Sequence, residues 1–82
     1  MKNNKWYFDR KKLVTARKIF NLTQQDVADK LGITKQMYQQ WESGARTPNI
    51  HSLIKICEVL AVKPHIFFSN VADELRRKSF WG

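Results

Sequence analysis

Apolar residues along this chain recur mostly at helical spacing, and the polar residues between them supply the punctuation. Leu13, Ala16 and Phe20 fall at i, i+3 and i+7, predicting a first helix capped by Asp9 and running to about Phe20, with Asn21 as its left-handed stop. Val27, Ala28 and Leu31 mark a second, opened by a Thr23–Asp26 capping box and closed by Gly32. Ile33 then anchors the turn in the core. Thr34 caps a third helix with Tyr38 and Trp41 inward, Met37 partly buried beside them and Gly44 as its end. A loop from Ala45 to Pro48 leads to Asn49, which caps a fourth helix. Its stripe is Leu53, Ile56, Cys57 and Leu60, closed by Val62. Pro64 fits the first turn of a short fifth helix loaded with Phe67 and Phe68.

The two ends read differently. Residues 1–8 show no helical period, and three neighbouring aromatics, Trp6, Tyr7 and Phe8, cannot all face one core. They form an N-terminal arm, folded back on the domain or meeting a partner. A C-terminal helical tail, residues 70–82, starts at Ser69 or Asn70. Asp73 and Glu74 lie in its first turn and Arg76, Arg77 and Lys78 in its last, matching the helix dipole, with Asp73–Arg77 and Glu74–Lys78 as i, i+4 pairs. Phe80 and Trp81 follow. No segment reads as a convincing strand. The expected class is all-α, with one domain over residues 9–69.

Two features of this pattern call for chemistry. Arg17 sits on a buried stripe and needs a partner. The third helix carries Thr34, Lys35, Gln36, Gln39 and Gln40 between its core positions, where an ordinary surface helix mixes Glu with Lys. The Gln amides donate and accept in pairs and the Lys ammonium donates, as reading a base edge requires.

Charge strengthens that reading. Against 7 Asp and Glu stand 15 Lys and Arg, a net charge of +8 in 82 residues, which favours a polyanion: nucleic acid first, anionic membrane second. A lipid-binding helix needs an accessible apolar face, and here those faces are needed for the core. A basic protein- or membrane-surface-binding helical module is the non-DNA alternative. The lone cysteine, Cys57, lies on a core stripe, and no internal disulfide is possible. The two His residues are far apart, and neither a metal-ligand cluster nor a phosphate-cradling Gly-rich loop is present, so neither an enzyme nor a cofactor is expected. Without a secretory or membrane-spanning stretch, the expected location is cytoplasmic.

The residues Arg17, Leu22-Thr23-Gln24, Ala28, Gly32-Ile33, Trp41-Glu42, Gly44, Pro48, Leu53, Ile56 and Leu60-Ala61-Val62 resemble the helix-turn-helix family of phage Cro and lambda-type repressors. The spacing is ungapped from Arg17 to Val62, and the resemblance covers about residues 9–69. It implies a five-helix, lambda-repressor-like DNA-binding domain whose helices 2 and 3 form the helix-turn-helix. By this resemblance Thr34, Lys35, Gln36 and Gln40 reach bases or nearby phosphates, with Gln39 at the edge of the contact. Gln24 grips a phosphate, and Ser43, Arg46, Thr47 and Asn49 run along the second phosphate strand. Arg17 and Glu42 form a structural pair. Lys63-Pro64 replaces the usual capping residue before the fifth helix, so that helix starts with a weaker cap.

The expected partner is a double-stranded, palindromic operator bound by a homodimer, with Ile66, Phe67, Phe80 and Trp81 as candidate dimer contacts. The competing view packs the aromatic arm and tail on each other within one chain. A phage or mobile-element repressor, a restriction–modification controller and an antitoxin with a toxin partner all fit this length.

Overall fold

The computed structural model describes residues 5–73 and residue 75. Four α-helices carry the chain: α1 (Arg10–Ile19), α2 (Gln24–Leu31), α3 (Lys35–Ser43) and α4 (Ile50–Leu60). Each starts at a side chain that accepts from the first turn: Asp9 from Lys11 N, Thr23 from Asp26 N, Thr34 from Met37 N, and Asn49 from Ser52 N. The Thr23 cap is reciprocal, because Asp26 Oδ2 accepts from Thr23 N at 2.8 Å. Those hydrogen bonds hold the Asp26 carboxyl below its ordinary value.

Three helices end alike. A left-handed residue reverses the chain, and the next residue's N–H reaches five residues back. Leu22 N bonds Arg17 O at 3.2 Å past Asn21, Ile33 N bonds Ala28 O at 3.0 Å past Gly32, and Val62 N bonds Cys57 O at 3.0 Å past Ala61. This arrangement satisfies terminal carbonyls and turns an apolar residue back onto the helix. Leu22, Ile33 and Val62 all pack, half-buried, against the core.

That geometry corrects one assignment. Helix α1 ends at Ile19, so Phe20 is not the last member of a buried stripe; it is 46% exposed, and Leu22 packs on the core beyond the turn. The fourth helix stops at Leu60, and Val62 closes its stripe from beyond the turn, as expected. Met37, expected partly buried beside Tyr38, is exposed.

The core is Leu13 and Ala16 of α1, Val27, Ala28 and Leu31 of α2, Tyr38 and Trp41 of α3, Leu53, Ile56, Cys57 and Leu60 of α4, and Phe67. Tyr38 and Trp41 meet edge-on, their centroids 6.1 Å apart. Cys57 is a buried free thiol, its pKa pushed up by burial.

The expected fifth helix is a single 3-10 turn, Pro64–Phe67, with no side-chain cap at Lys63. Phe68 lies outside it. It opens a short strand, β2 (Phe68–Asn70), which pairs antiparallel with β1 (Trp6–Phe8) in the register Trp6–Asn70, Tyr7–Ser69 and Phe8–Phe68. The expectation of no strand is therefore corrected. Asp9 N to Phe67 O at 2.7 Å and Val71 N to Lys5 O at 3.0 Å extend the ladder at either end. Side chains lock it further. Ser69 Oγ donates to Asp9 Oδ2 at 2.7 Å, and Lys12 Nζ donates to Phe68 O at 3.1 Å. Phe8 packs on Phe67 and edge-on against Phe68. Trp6 stays 63% exposed. The chain is thus mostly helical, with one minor ribbon. Residues 71–73 are helical, and Asn70 Oδ1 accepts from Ala72 N at 2.8 Å. Glu74, Arg77 and Lys78 of the expected tail ion pairs lie outside the described residues. Among the described residues, no helix is long and apolar enough to cross a membrane.

Candidate nucleic-acid interface

Helix α3 packs Tyr38, Trp41 and Glu42 inward and leaves Lys35, Gln36, Gln39 and Gln40 exposed. Its outer face, with the start of α2 and the flank of α1, borders an open cleft of about 770 Å³ lined by Val14, Gln24, Gln36, Gln39, Gln40, Glu42 and Ser43. The fold therefore gathers Gln24, Gln36, Gln40 and Ser43 from the candidate set into one concavity. Thr34 and Lys35 stand at the N-terminal end of α3, outside it. The Thr34 oxygen already accepts from Met37 N at 3.1 Å, which leaves its hydroxyl hydrogen to donate.

Behind the cleft lies a buried carboxylate. Glu42 is 6% exposed, and four donors converge on it. Arg17 Nε at 2.6 Å and Tyr38 Oη at 2.6 Å donate to Oε2. Arg17 Nη2 at 3.2 Å and Gln24 Nε2 at 2.9 Å donate to Oε1. Burial pushes the carboxyl pKa up, but hydrogen bonds from Arg17, Tyr38 and Gln24 outweigh it and hold the group below its ordinary value. The hydrogen bond to Glu42 raises the Arg17 pKa, and burial, then Glu42, raises that of the Tyr38 phenol. Arg17 Nη1 also donates to Leu22 O at 2.8 Å, so one guanidinium ties the end of α1 to α3.

Arg10 adds a tether that motif reasoning passed over. Its Nη1 donates to Glu42 O at 3.0 Å, satisfying a carbonyl near the C-terminal end of α3. The seven-residue spacing of Arg10 and Arg17 was the available signal, since it sets both on one flank of α1. Gly44 follows with φ +88°, and a Cβ there would approach Arg10 Cδ to 2.9 Å. Glycine is favoured here by the left-handed backbone, and any side chain would have to displace the Arg10 guanidinium stem. Tyr38 and Gln39 also act in this network unassigned by the motif: Gln39 Nε2 donates to Gln24 Oε1 at 3.0 Å.

The loop beyond α3 is held by Arg46 N to Gln40 O at 3.1 Å, and Pro48 is buried beneath it. The side chains of Arg46 and Thr47 are exposed, and Arg46 has no ion-pair partner among the described residues. Ser43 Oγ donates to Gln40 O and accepts from Ala45 N, both at 3.3 Å. Asn49 Oδ1 is occupied by Ser52 N at 2.8 Å, so its side-chain N–H groups are what it can offer outward. Among the candidate dimer contacts, Ile66 is 38% exposed, whereas Phe67 is fully buried. Phe67 is therefore corrected from a contact surface to a core residue of its own chain. Phe80 and Trp81 lie outside the described residues.

Two helices joined by a glycine turn, the second offering a polar face, define a helix-turn-helix unit. Residues 13–67 match the helix-turn-helix family model. The chain belongs to the helix-turn-helix family. It is 46% identical over 62 residues to YqaE of Bacillus subtilis strain 168, an uncharacterised HTH-type transcriptional regulator, covering 76% of this chain and 53% of the relative. It is 36% identical over 53 residues to RstR, the cryptic phage CTXphi transcriptional repressor of Vibrio cholerae, covering 65% and 47% respectively. A third relative, MJ0272 of Methanocaldococcus jannaschii, an uncharacterised HTH-type transcriptional regulator, is 36% identical over 63 residues, covering 77% of this chain and 96% of its own. The matched region spans about half the length of YqaE and RstR.

Proposed function

We propose that this protein is a sequence-specific, double-stranded DNA-binding transcriptional regulator acting as a repressor, with α3 in the major groove. The observation that carries this reading is the polar cleft, where Gln24, Gln36, Gln39 and Gln40 converge in front of a fixed ionic knot. A bidentate amide is suited to adenine and a lysine to guanine. Thr34, Lys35, Gln36 and Gln40 read bases. Gln24, Ser43, Arg46, Thr47 and Asn49 hold the phosphate strands and fix the register. Arg17 and Glu42 fix the angle of α3 to the rest of the domain. That the relative RstR is a transcriptional repressor supports repression over activation.

The working form is a cytoplasmic homodimer on a palindromic operator, its half-sites one helical turn, ~34 Å, apart. An apolar groove of about 640 Å³ between α1 and the 3-10 turn, with Trp6, Ile19, Ile66 and Phe68 among its walls, supports an association face away from the cleft. Selection of bound sites from a random duplex pool tests the whole reading. A recovered palindrome, and an affinity that falls steeply with salt, are expected. Recovery of no preferred site would refute sequence-specific recognition.

A further inference from the structure

The amide of Gln24 has its orientation dictated from one side. Glu42 is an ionised acceptor already engaged by Arg17 and Tyr38, so only the nitrogen of the Gln24 amide can face it. The Gln24 oxygen is thereby turned away from the knot, and it meets Gln39 Nε2 at 3.0 Å. Gln39 lies on the outer face of α3, beside Gln40 and three residues from Gln36. The result is an unbroken relay in which Gln39 donates to Gln24 and Gln24 donates to Glu42. Each amide nitrogen keeps a second hydrogen with no acceptor among the described residues, and both residues line the cleft.

We propose that Gln39 is a positioning residue for DNA binding: it locks the Gln24 amide so that the remaining Gln24 N–H meets a backbone phosphate, coupling phosphate grip at α2 to the placement of α3. The inference rests on the phosphate role proposed above for Gln24. Without Gln39, the Gln24 amide is held only at its Glu42 edge and can swing about that bond, so its second hydrogen is less closely aimed. Gln39 is exposed and makes no core contact, so its part in DNA binding is separable from folding.

A double-mutant cycle tests this with Gln24→Ala, Gln39→Ala and the double variant, on one duplex recovered by selection and on a scrambled duplex. Gln39→Ala is expected to weaken both duplexes about fivefold, the worth of one net hydrogen bond. It adds less than about twofold in the Gln24→Ala background, with melting temperature unchanged. Gln39→Glu sets an acceptor against the Gln24 oxygen and a negative charge beside the phosphate, so it weakens binding more than Gln39→Ala. In nitrogen-edited spectra of the free protein, the Gln24 side-chain NH2 signals shift in Gln39→Ala while the backbone amides of the core stay in place. Additive losses, or a Gln24-dependent affinity that Gln39→Ala leaves untouched, would overturn the positioning role alone. A Gln24→Ala variant binding as tightly as the parent overturns the phosphate reading and the inference with it.

Discussion

Helix α1 separates two concavities of similar size and opposite character. On one flank, Val14 borders the cleft of about 770 Å³ whose other walls are amides, a hydroxyl and the Glu42 carboxylate. On the other, Ala16 and Ile19 face the groove of about 640 Å³, where Trp6, Ile66 and Phe68 form an apolar wall rimmed by polar residues such as Lys12, His65 and Asp73. A single helix serves both because its heptad-related pair Arg10 and Arg17 points toward α3, while Lys12, whose ammonium bonds Phe68 O, points toward the ribbon. The cleft is preorganised by side-chain hydrogen bonds, and the groove by the ribbon ladder together with apolar packing. Polar geometry of that kind suits a hydrated, charged ligand that must be met in register. An apolar wall suits a partner that need only exclude water.

Substitutions on each side sharpen this contrast. The largest loss is expected from Phe67→Ala, which empties a fully buried position under the groove and should cost roughly 3–5 kcal/mol in urea unfolding. Close behind is Glu42→Ala, which strands Arg17 and Tyr38 behind the cleft. It should cost roughly 3 kcal/mol, while Arg17→Met combined with Glu42→Leu should cost less than the sum of its parts. Double-mutant unfolding energies decide between a coupled knot and independent contacts.

Gln36→Ala should leave stability alone. It is expected to remove about 1–3 kcal/mol of binding to the selected duplex and relax preference at one base pair. Equal loss on every duplex would move Gln36 from reading to positioning. Arg46→Ala should weaken all duplexes alike and lower the salt slope by about 1.

The smallest effect is the acid limb. The folded Glu42 carboxyl sits below its ordinary value of about 4.3, so in acid the unfolded chain binds more protons than the folded one. The knot's contribution is fully present above that value and is lost as pH falls through the folded one. Glu42→Gln should flatten this part of a stability–pH curve. A remnant of the same sign stays, because the Asp26 carboxyl is also held low by Thr23.

The helical framework was legible because its signals are local. Thr23, Thr34 and Asn49 are capping residues set just before apolar-periodic runs, and Gly32 marks a left-handed reversal. Ala61 adopts the same left-handed turn at φ 56°, yet nothing in its chemistry announces it. Packing of Val62 on the core selects it. Phe20 was misplaced for a related reason. The periodicity continues in sequence, but the helix stops one residue earlier and Leu22 fills in after the turn. The ribbon escaped notice because three residues per strand are too few to show alternation, and their pairing joins residues about sixty positions apart. In the cleft, the residue types of Gln24, Gln36, Gln40 and Ser43 were readable. The contacts of Gln39 and Arg10 were not, because they depend on how α1, α2 and α3 cross.

Asp9 and Arg10 are adjacent, yet they fasten different elements of the molecule. Asp9 is bonded through its backbone to Phe67 and through its carboxylate to Ser69, both at the ribbon. Arg10 reaches Glu42 O and fills the space over Gly44, at the exit of α3. One peptide unit therefore links the groove side to the cleft side. A displacement of the ribbon that carried Asp9 with it would pull on the Arg10 guanidinium at the end of α3.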